Sequence, residues 1–104
     1  MKAFLGIDLG TTNLKAALYD EDLRPLGSAS FPVEYCRDDG HVEFDVDACF
    51  DQLIDLLASL VRDKGVDAIP AMALTGQAET LVVLGENGRP IHPAISWMDE
   101  RSQA

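Results

Sequence analysis

Asp8 closes the apolar run Phe4-Leu5-Gly6-Ile7 and opens onto Gly10-Thr11-Thr12. An Asp on a strand entering such a loop can hold a hydrated magnesium ion, while the loop's N–H groups and hydroxyls face a phosphate. Gly10 leaves room for close approach. A plain hairpin whose Asp and Thr satisfy their own turn would carry the same short pattern. Other chemistry-bearing residues have bland readings when taken singly. Glu79 alone reads as a solvated turn residue and Trp97 alone as core packing. The acidic block Asp38, Asp39, Glu43 and Asp45 lacks calcium-loop spacing and reads as solvated. Cys36 and Cys49 form no CxxC motif and have no His at zinc spacing, which leaves two free thiols. His41 and His92 lie in no nucleophile or metal pattern.

The elements that must position these residues follow from periodicity. Phe4 to Leu9 and Leu14 to Tyr19 read as two antiparallel strands joined by Gly10-Thr11-Thr12-Asn13. A polar turn from Asp20 to Pro25 leads to a third strand from Leu26 to Tyr35, with Pro32 favouring an edge or a bulge. Arg37 to Asp47 reads as a polar, acidic loop, and Asp45 or Asp47 can cap the helix that follows. Phe50, Leu53, Ile54, Leu57, Leu60 and Val61 fall on one helical stripe, and Gly65 stands where a left-handed cap is expected. Ile69 to Thr75 reads as a buried strand and Thr80 to Leu84 as another. The turn Gly85-Glu86-Asn87-Gly88 and a Pro-punctuated stretch ending at Ala94-Ile95-Ser96-Trp97 complete the chain.

Composition bounds the function classes. The chain has 104 residues, 47% hydrophobic and 25% charged, an ordinary globular composition for one domain or part of one. A core of this size is marginal unless the segment is complete or has a partner. The formal net charge of -10 and the scattered Lys and Arg argue against nucleic acid. Nucleotide is not excluded, because nucleotide sites use local backbone N–H groups and magnesium rather than global charge. Gly6 and Asp8 interrupt the first apolar run before it could serve as a signal, and no apolar stretch reaches membrane-spanning length. A cytoplasmic protein without membrane contact is the default expectation.

Read together, four blocks acquire a meaning that none has alone. They are Gly6-Ile7-Asp8-Leu9-Gly10-Thr11-Thr12-Asn13-Leu14-Lys15, Gly40-His41-Val42-Glu43-Phe44-Asp45, Thr75-Gly76-Gln77-Ala78-Glu79-Thr80, and Ile95-Ser96-Trp97-Met98-Asp99-Glu100-Arg101. Their order and spacing resemble those of the FGGY carbohydrate kinases, including xylulokinases and glycerol kinases, over the early part of that family's first domain. The resemblance implies an α/β, ribonuclease H-like (actin-like ATPase) fold. Three antiparallel strands would be continued by a parallel strand after one long helix.

The resemblance also implies roles. Asp8 would sit near Mg2+, and Gly10, Thr11 and Thr12 would form the first phosphate-binding hairpin for ATP, with Lys15 closing the same cofactor-side block. Gln77, Ala78 and Glu79 would contact a small sugar or polyol, Trp97 would form an apolar wall, and Asp99 and Arg101 would continue that motif. A carboxylate suits sugar hydroxyls and an aromatic face suits C–H patches, so the assignment makes physical sense. Glycerol kinases of the family carry an Arg immediately before the Glu, and xylulokinases a Met-His pair there, so Ala78 removes a cationic donor. The catalytic base and most of the adenine site would lie downstream, which makes residues 1–104 an incomplete first domain, inactive alone, with open apolar faces that favour self-association. Two other classes stand beside this one: an actin-like or chaperone-like ATPase module, which would lack the third and fourth motif blocks, and a sugar-sensing domain without a kinase body.

Overall fold

The computed structural model describes residues 1–102. Its larger sheet is built from β1 (Phe4–Leu9), β2 (Asn13–Tyr19), β3 (Pro25–Pro32) and β6 (Met72–Gly76), in the order β3-β2-β1-β6. β1 and β2 are antiparallel, with Phe4 opposite Tyr19 and Leu9 opposite Leu14. β6 lies parallel to β1, with Leu9 opposite Gly76. Three antiparallel strands continued by a parallel one is the arrangement expected of the actin-like ATPase fold. Side chains alternate across a strand, so Leu5 and Ile7 of β1 share a face with Leu14, Ala16 and Leu18 of β2, and all five are buried. The opposite face carries Asp8, Lys15 and Thr75 side by side.

Helix α1 (Val46–Asp63) packs on the apolar face. Asp45 is its N-cap, accepting from the Ala48 N–H at 3.0 Å, and Asp47 adds a negative charge to the first turn. The C-terminus is a Schellman motif. The Gly65 N–H donates to the Arg62 carbonyl at 3.2 Å and the Val66 N–H to the Val61 carbonyl at 3.0 Å, with Gly65 at φ 66°. Val66 is itself buried, so the cap also carries an apolar contact into the core.

An open apolar face on the helix is expected of an incomplete domain and is seen, while three other expectations change. The apolar stripe of α1 is wider than its buried part: Leu53 and Leu60 are buried, with Cys49 and Leu56 packed beside them, whereas Phe50 and Ile54 are 57% and 46% exposed. β6 is exposed along its whole length rather than buried, because α1 covers β2 and β3 and nothing described flanks the outer edge of β6. The stretch read as an acidic loop contains β4 (Cys36–Asp38) and β5 (His41–Phe44), a hairpin closed by Asp39 and Gly40 at φ 48° and 80°. Two positive φ values at the central pair are the type I′ turn that suits the twist of paired strands. Thr80 to Leu84 is not a strand; Leu81 and Leu84 make only single bridges, to Ile95 and Pro90. β7 (Ala94–Ile95) instead joins β5 to complete a second sheet, β4-β5-β7.

The C-terminal cap of α1 can be tested alone. A Cβ on Gly65 would meet nothing within 4 Å, so Gly65→Ala changes only the cost of the left-handed conformation. It should destabilise the chain by about 1–2 kcal/mol. Urea unfolding should show a lower midpoint at unchanged slope; an unchanged midpoint would mean that the cap does not limit stability.

Candidate functional site

The parallel pairing of β1 with β6 brings the ends of both strands to one edge of the sheet. The Gln77 N–H donates to the Leu9 carbonyl at 2.9 Å, so the loop after β6 starts beside the Gly10-Thr11-Thr12 loop after β1. Gly10 is required there for a local reason, since a Cβ would stand 2.6 Å from the Asn13 carbonyl oxygen. Each carbonyl of the loop is taken by a donor from elsewhere. The Gln77 side-chain amide reaches Gly10 O at 3.3 Å, the Tyr35 hydroxyl reaches Thr11 O at 2.6 Å, and the Val33 N–H reaches Thr12 O at 2.9 Å. Every peptide is trans, so a carbonyl held on one side turns the following N–H to the other. The N–H groups of Thr11, Thr12 and Asn13 are thus each directed away from the donor that holds the preceding carbonyl.

The loop after β6 and the segment after β7 meet at the same place. Thr80 donates from its hydroxyl to Gln77 Oε1 at 2.7 Å and accepts from the Trp97 N–H at 3.2 Å. Trp97 Nε1 donates to the Thr11 hydroxyl at 3.0 Å. Gln77, Trp97 and Thr11, far apart in sequence, therefore form one hydrogen-bonded cluster. Ala78 and Glu79 are exposed beside it, and Glu79 sits at φ 65°. A Glu in the left-handed region costs on the order of 1 kcal/mol, and such outliers persist where a site needs a side chain aimed in one direction.

Asp8 and Lys15 stand opposite each other on the open face, with Thr75 the partner of Asp8 on β6. No group of three or more His, Cys, Asp or Glu side chains among the described residues could cage a metal ion. Magnesium does not require one: it is commonly held by one or two carboxylates, its own waters and substrate phosphates. Asp8 fits that mode, being exposed on the open face of the sheet at the end of β1.

Asp99 and Arg101 form a clamp. The Asp99 carboxylate, with 3% of its side-chain surface exposed, accepts from the Val42 N–H at 2.6 Å and from Arg101 Nε at 2.8 Å. Arg101 also reaches Glu43 Oε2 at 2.5 Å. The Arg101 guanidinium hydrogen bond holds the Asp99 carboxyl well below the usual carboxylate range, against the opposing effect of burial, and lowers Glu43 as well. Ser96 N–H to Val42 O at 2.9 Å and Glu100 N–H to Gly40 O at 2.8 Å extend the attachment, so the Trp97 segment is pinned along β5.

Of the residues singled out from sequence, Gly10, Thr11, Gln77 and Trp97 are hydrogen-bonded into one cluster. Thr12 belongs to the same loop, Ala78 and Glu79 flank it, Asp8 and Lys15 lie on the adjoining sheet face, and Asp99 is occupied with Arg101 and the Val42 N–H. Glu43, read from the sequence as part of a solvated acidic block, is instead held by Arg101. Tyr35 and Thr80 carry roles that the sequence reading did not assign; Thr80 lies within the third motif block, whereas Tyr35 carries no local signal.

Comparison with known proteins bears on the family and the fold. A model described as the FGGY family of carbohydrate kinases, N-terminal domain, matches residues 3–104. The chain is 39% identical over 108 residues to a glycerol kinase of Rhodospirillum rubrum, a match covering 100% of this chain and 22% of that protein. A glycerol kinase of a Marinomonas species is 35% identical over 103 residues, covering 94% and 21%. Among solved structures, the gluconate kinase of Lactobacillus acidophilus resembles it with a TM-score of 0.85 at 28% identity, over 95% of this chain and 20% of that one. The Plasmodium falciparum glycerol kinase, solved with ADP, gives 0.81 at 29% identity, over 97% and 21%. The chain spans about a fifth of the length of the curated relatives it matches.

The clamp yields a pH signature. Asp99 has an ordinary value of 3.8 and is depressed in the folded chain, so its stabilisation is complete above 3.8 and fades as pH falls toward the folded value. Stability should therefore drop between about pH 4 and pH 2, and Asp99→Asn should flatten that drop while lowering stability at neutral pH. Urea midpoints across this range would measure it; an Asp99→Asn chain with an unaltered acid slope would place the titrating group elsewhere.

Proposed function

This chain belongs to the FGGY family of carbohydrate kinases, and from that premise we propose that it forms the early part of the first domain of an enzyme transferring the γ-phosphoryl group of ATP to a hydroxyl of a sugar or polyol. The observation that carries the reading is the hairpin loop whose three carbonyls are all taken by donors from elsewhere, one of them the Gln77 side chain of the neighbouring loop, which leaves the loop amides for a phosphate. A phosphate-binding loop and a hydroxyl-binding loop at one sheet edge are what phosphoryl transfer between ATP and an alcohol requires, since positioning dominates that chemistry.

In this reading the amides of the loop and the Thr11 and Thr12 hydroxyls hold phosphate oxygens, with Gly10 admitting them and Lys15 adding positive charge on the same sheet face as Asp8. Asp8 holds the hydrated Mg2+, which when bound neutralises charge on the transferring group. Gln77, Ala78 and Glu79 line the sugar side, Glu79 accepting from hydroxyls and Trp97 covering a C–H face. Asp99 keeps the Trp97 segment seated on β5 through Arg101 and the Val42 N–H. The base that accepts the hydroxyl proton belongs to the remaining four-fifths or so of a protein of the relatives' length, so residues 1–104 alone do not turn over. Ala78 supplies no cation, and the similar proteins include kinases named for glycerol, xylulose and gluconate, so the substrate is defined as a class.

Two substitutions in the full-length enzyme separate the halves of the site. Glu79→Ala retains a Cβ and hence the backbone cost at φ 65°, so it reads the carboxylate alone. It should lower kcat/KM for the sugar by about one to two orders of magnitude, with nucleotide binding little changed. Asp8→Asn, nearly isosteric, should lower turnover and raise the magnesium requirement. Sugar kinetics indifferent to Glu79→Ala, or magnesium dependence indifferent to Asp8→Asn, would remove that residue from the site.

The open apolar surface of the isolated segment, with Phe50, Ile54, Leu74 and Leu81 exposed, favours self-association. Sedimentation of residues 1–104 should show species heavier than one chain; a monomer at all concentrations would contradict this.

A further inference from the structure

The hydrogen bonds around Thr11 run in fixed directions. Trp97 Nε1–H can only donate, so the Thr11 hydroxyl oxygen accepts at 3.0 Å, and its own proton must leave along another direction. The backbone of the same residue is held by Tyr35, whose hydroxyl donates to Thr11 O at 2.6 Å. Tyr35 is itself buttressed, edge-on to Phe44 at 5.7 Å and with the Arg37 guanidinium 5.5 Å from its ring centre. Thr11 is thus fixed at side chain and main chain by two aromatic residues, 86 and 24 positions away.

A second path joins the same two places. Gly10 O accepts from Gln77 Nε2, Gln77 Oε1 accepts from the Thr80 hydroxyl, and Thr80 Oγ1 accepts from the Trp97 N–H. With the Trp97 to Thr11 bond the chain of contacts returns to the hairpin one residue from where it began. Donor and acceptor are assigned throughout, so no member can reorient alone without leaving another unpaired.

We infer that Trp97 serves both halves of the site: its ring face bounds the sugar while its Nε1–H orients the Thr11 hydroxyl as a donor to a phosphoryl oxygen, so that sugar and nucleotide binding are positively coupled through this one ring, with Tyr35 as a second positioning residue for the hairpin. The inference rests on the kinase reading above. A sugar packed on the open indole face restrains the ring, so that Nε1–H stays on the Thr11 oxygen while the hydroxyl donates to phosphate, and by reciprocity nucleotide favours sugar.

Trp97→Phe separates the two functions, because it keeps an aromatic face and deletes the N–H. The experiment is calorimetry on the full-length enzyme with magnesium–ADP alone, with glycerol, xylulose and gluconate alone, and with both, together with kcat. In the unmodified enzyme sugar should tighten nucleotide binding about five- to tenfold. Trp97→Phe should hold sugar affinity within about threefold, abolish the coupling, and lower magnesium–ADP affinity and kcat by about five- to tenfold. Tyr35→Phe, remote from the sugar loop, should weaken magnesium–ADP by a similar factor with sugar affinity unchanged. Coupling, nucleotide affinity and kcat all intact in Trp97→Phe would overturn the inference, as would intact nucleotide affinity in Tyr35→Phe should the first variant not fold. Trp97→Ala that leaves sugar affinity unchanged, or no sugar binding by the unmodified enzyme, would instead overturn the sugar-wall reading on which it rests.

Discussion

The parallel pairing of β6 with β1 is the constraint from which the candidate site follows. Parallel neighbours cannot be joined by a tight turn, so the chain must cross over before it returns, and the β4–β5 hairpin and α1 make that crossing. Once β6 is seated with Gly76 opposite Leu9, both strands end at the same edge, and the loops that follow them are neighbours whatever else they contain. Ligands in open α/β sheets bind outside the carboxyl ends of the strands for the same geometric reason. A register shift of one residue would exchange the faces of β6 and break the contact between Gln77 and the Gly10 loop.

Stability and accessibility are divided unevenly around this edge. The core lies where α1 covers β2 and β3, with Leu14, Ala16 and Leu18 at 5%, 0% and 0% exposure. β6 and the Leu81 to Leu84 stretch lie outside it, and are held by strand pairing, single bridges and polar contacts rather than by buried apolar area. The segment carrying Trp97 gains its order from the Asp99, Arg101 and Glu43 clamp on β5, a network whose strength depends on ionised carboxylates. The elements that bear the candidate sugar contacts are therefore those least committed to the apolar core, which is where motion on ligand binding is least costly.

Under the proposed kinase reading, specificity would turn on the side chains at the same edge. The hairpin loop is set by carbonyl anchors and a glycine, and under that reading its geometry would be indifferent to which alcohol accepts the phosphoryl group. The loop after β6 would then distinguish substrates, and Ala78 there would leave space without charge. A pocket of this kind discriminates through shape and through whether each buried hydroxyl finds a partner, and an unpaired one costs more than a missing methylene.

The sequence by itself determined the elements whose signals are local. The β1–β2 hairpin follows from two apolar runs around Gly10-Thr11-Thr12, and α1 from a helical stripe bracketed by Asp45 and Gly65, whose capping bonds span only three to five residues. The four motif blocks identified the family for the same reason, since short runs keep their spacing. The β4–β5 hairpin was legible too, because Asp39-Gly40 is a type I′ turn pair; acidic composition masked it. What only the tertiary structure decided is which distant groups meet. Periodicity says that a strand is apolar but not what covers it, so β6 reads as interior and stands exposed. Nor does a sequence pattern disclose that Tyr35 holds the Thr11 carbonyl, that Trp97 reaches the Thr11 hydroxyl, or that Asp99 caps the Val42 N–H. Hydrogen bonds act over about 3 Å and demand direction, so their partners are set by how strands and loops converge in space.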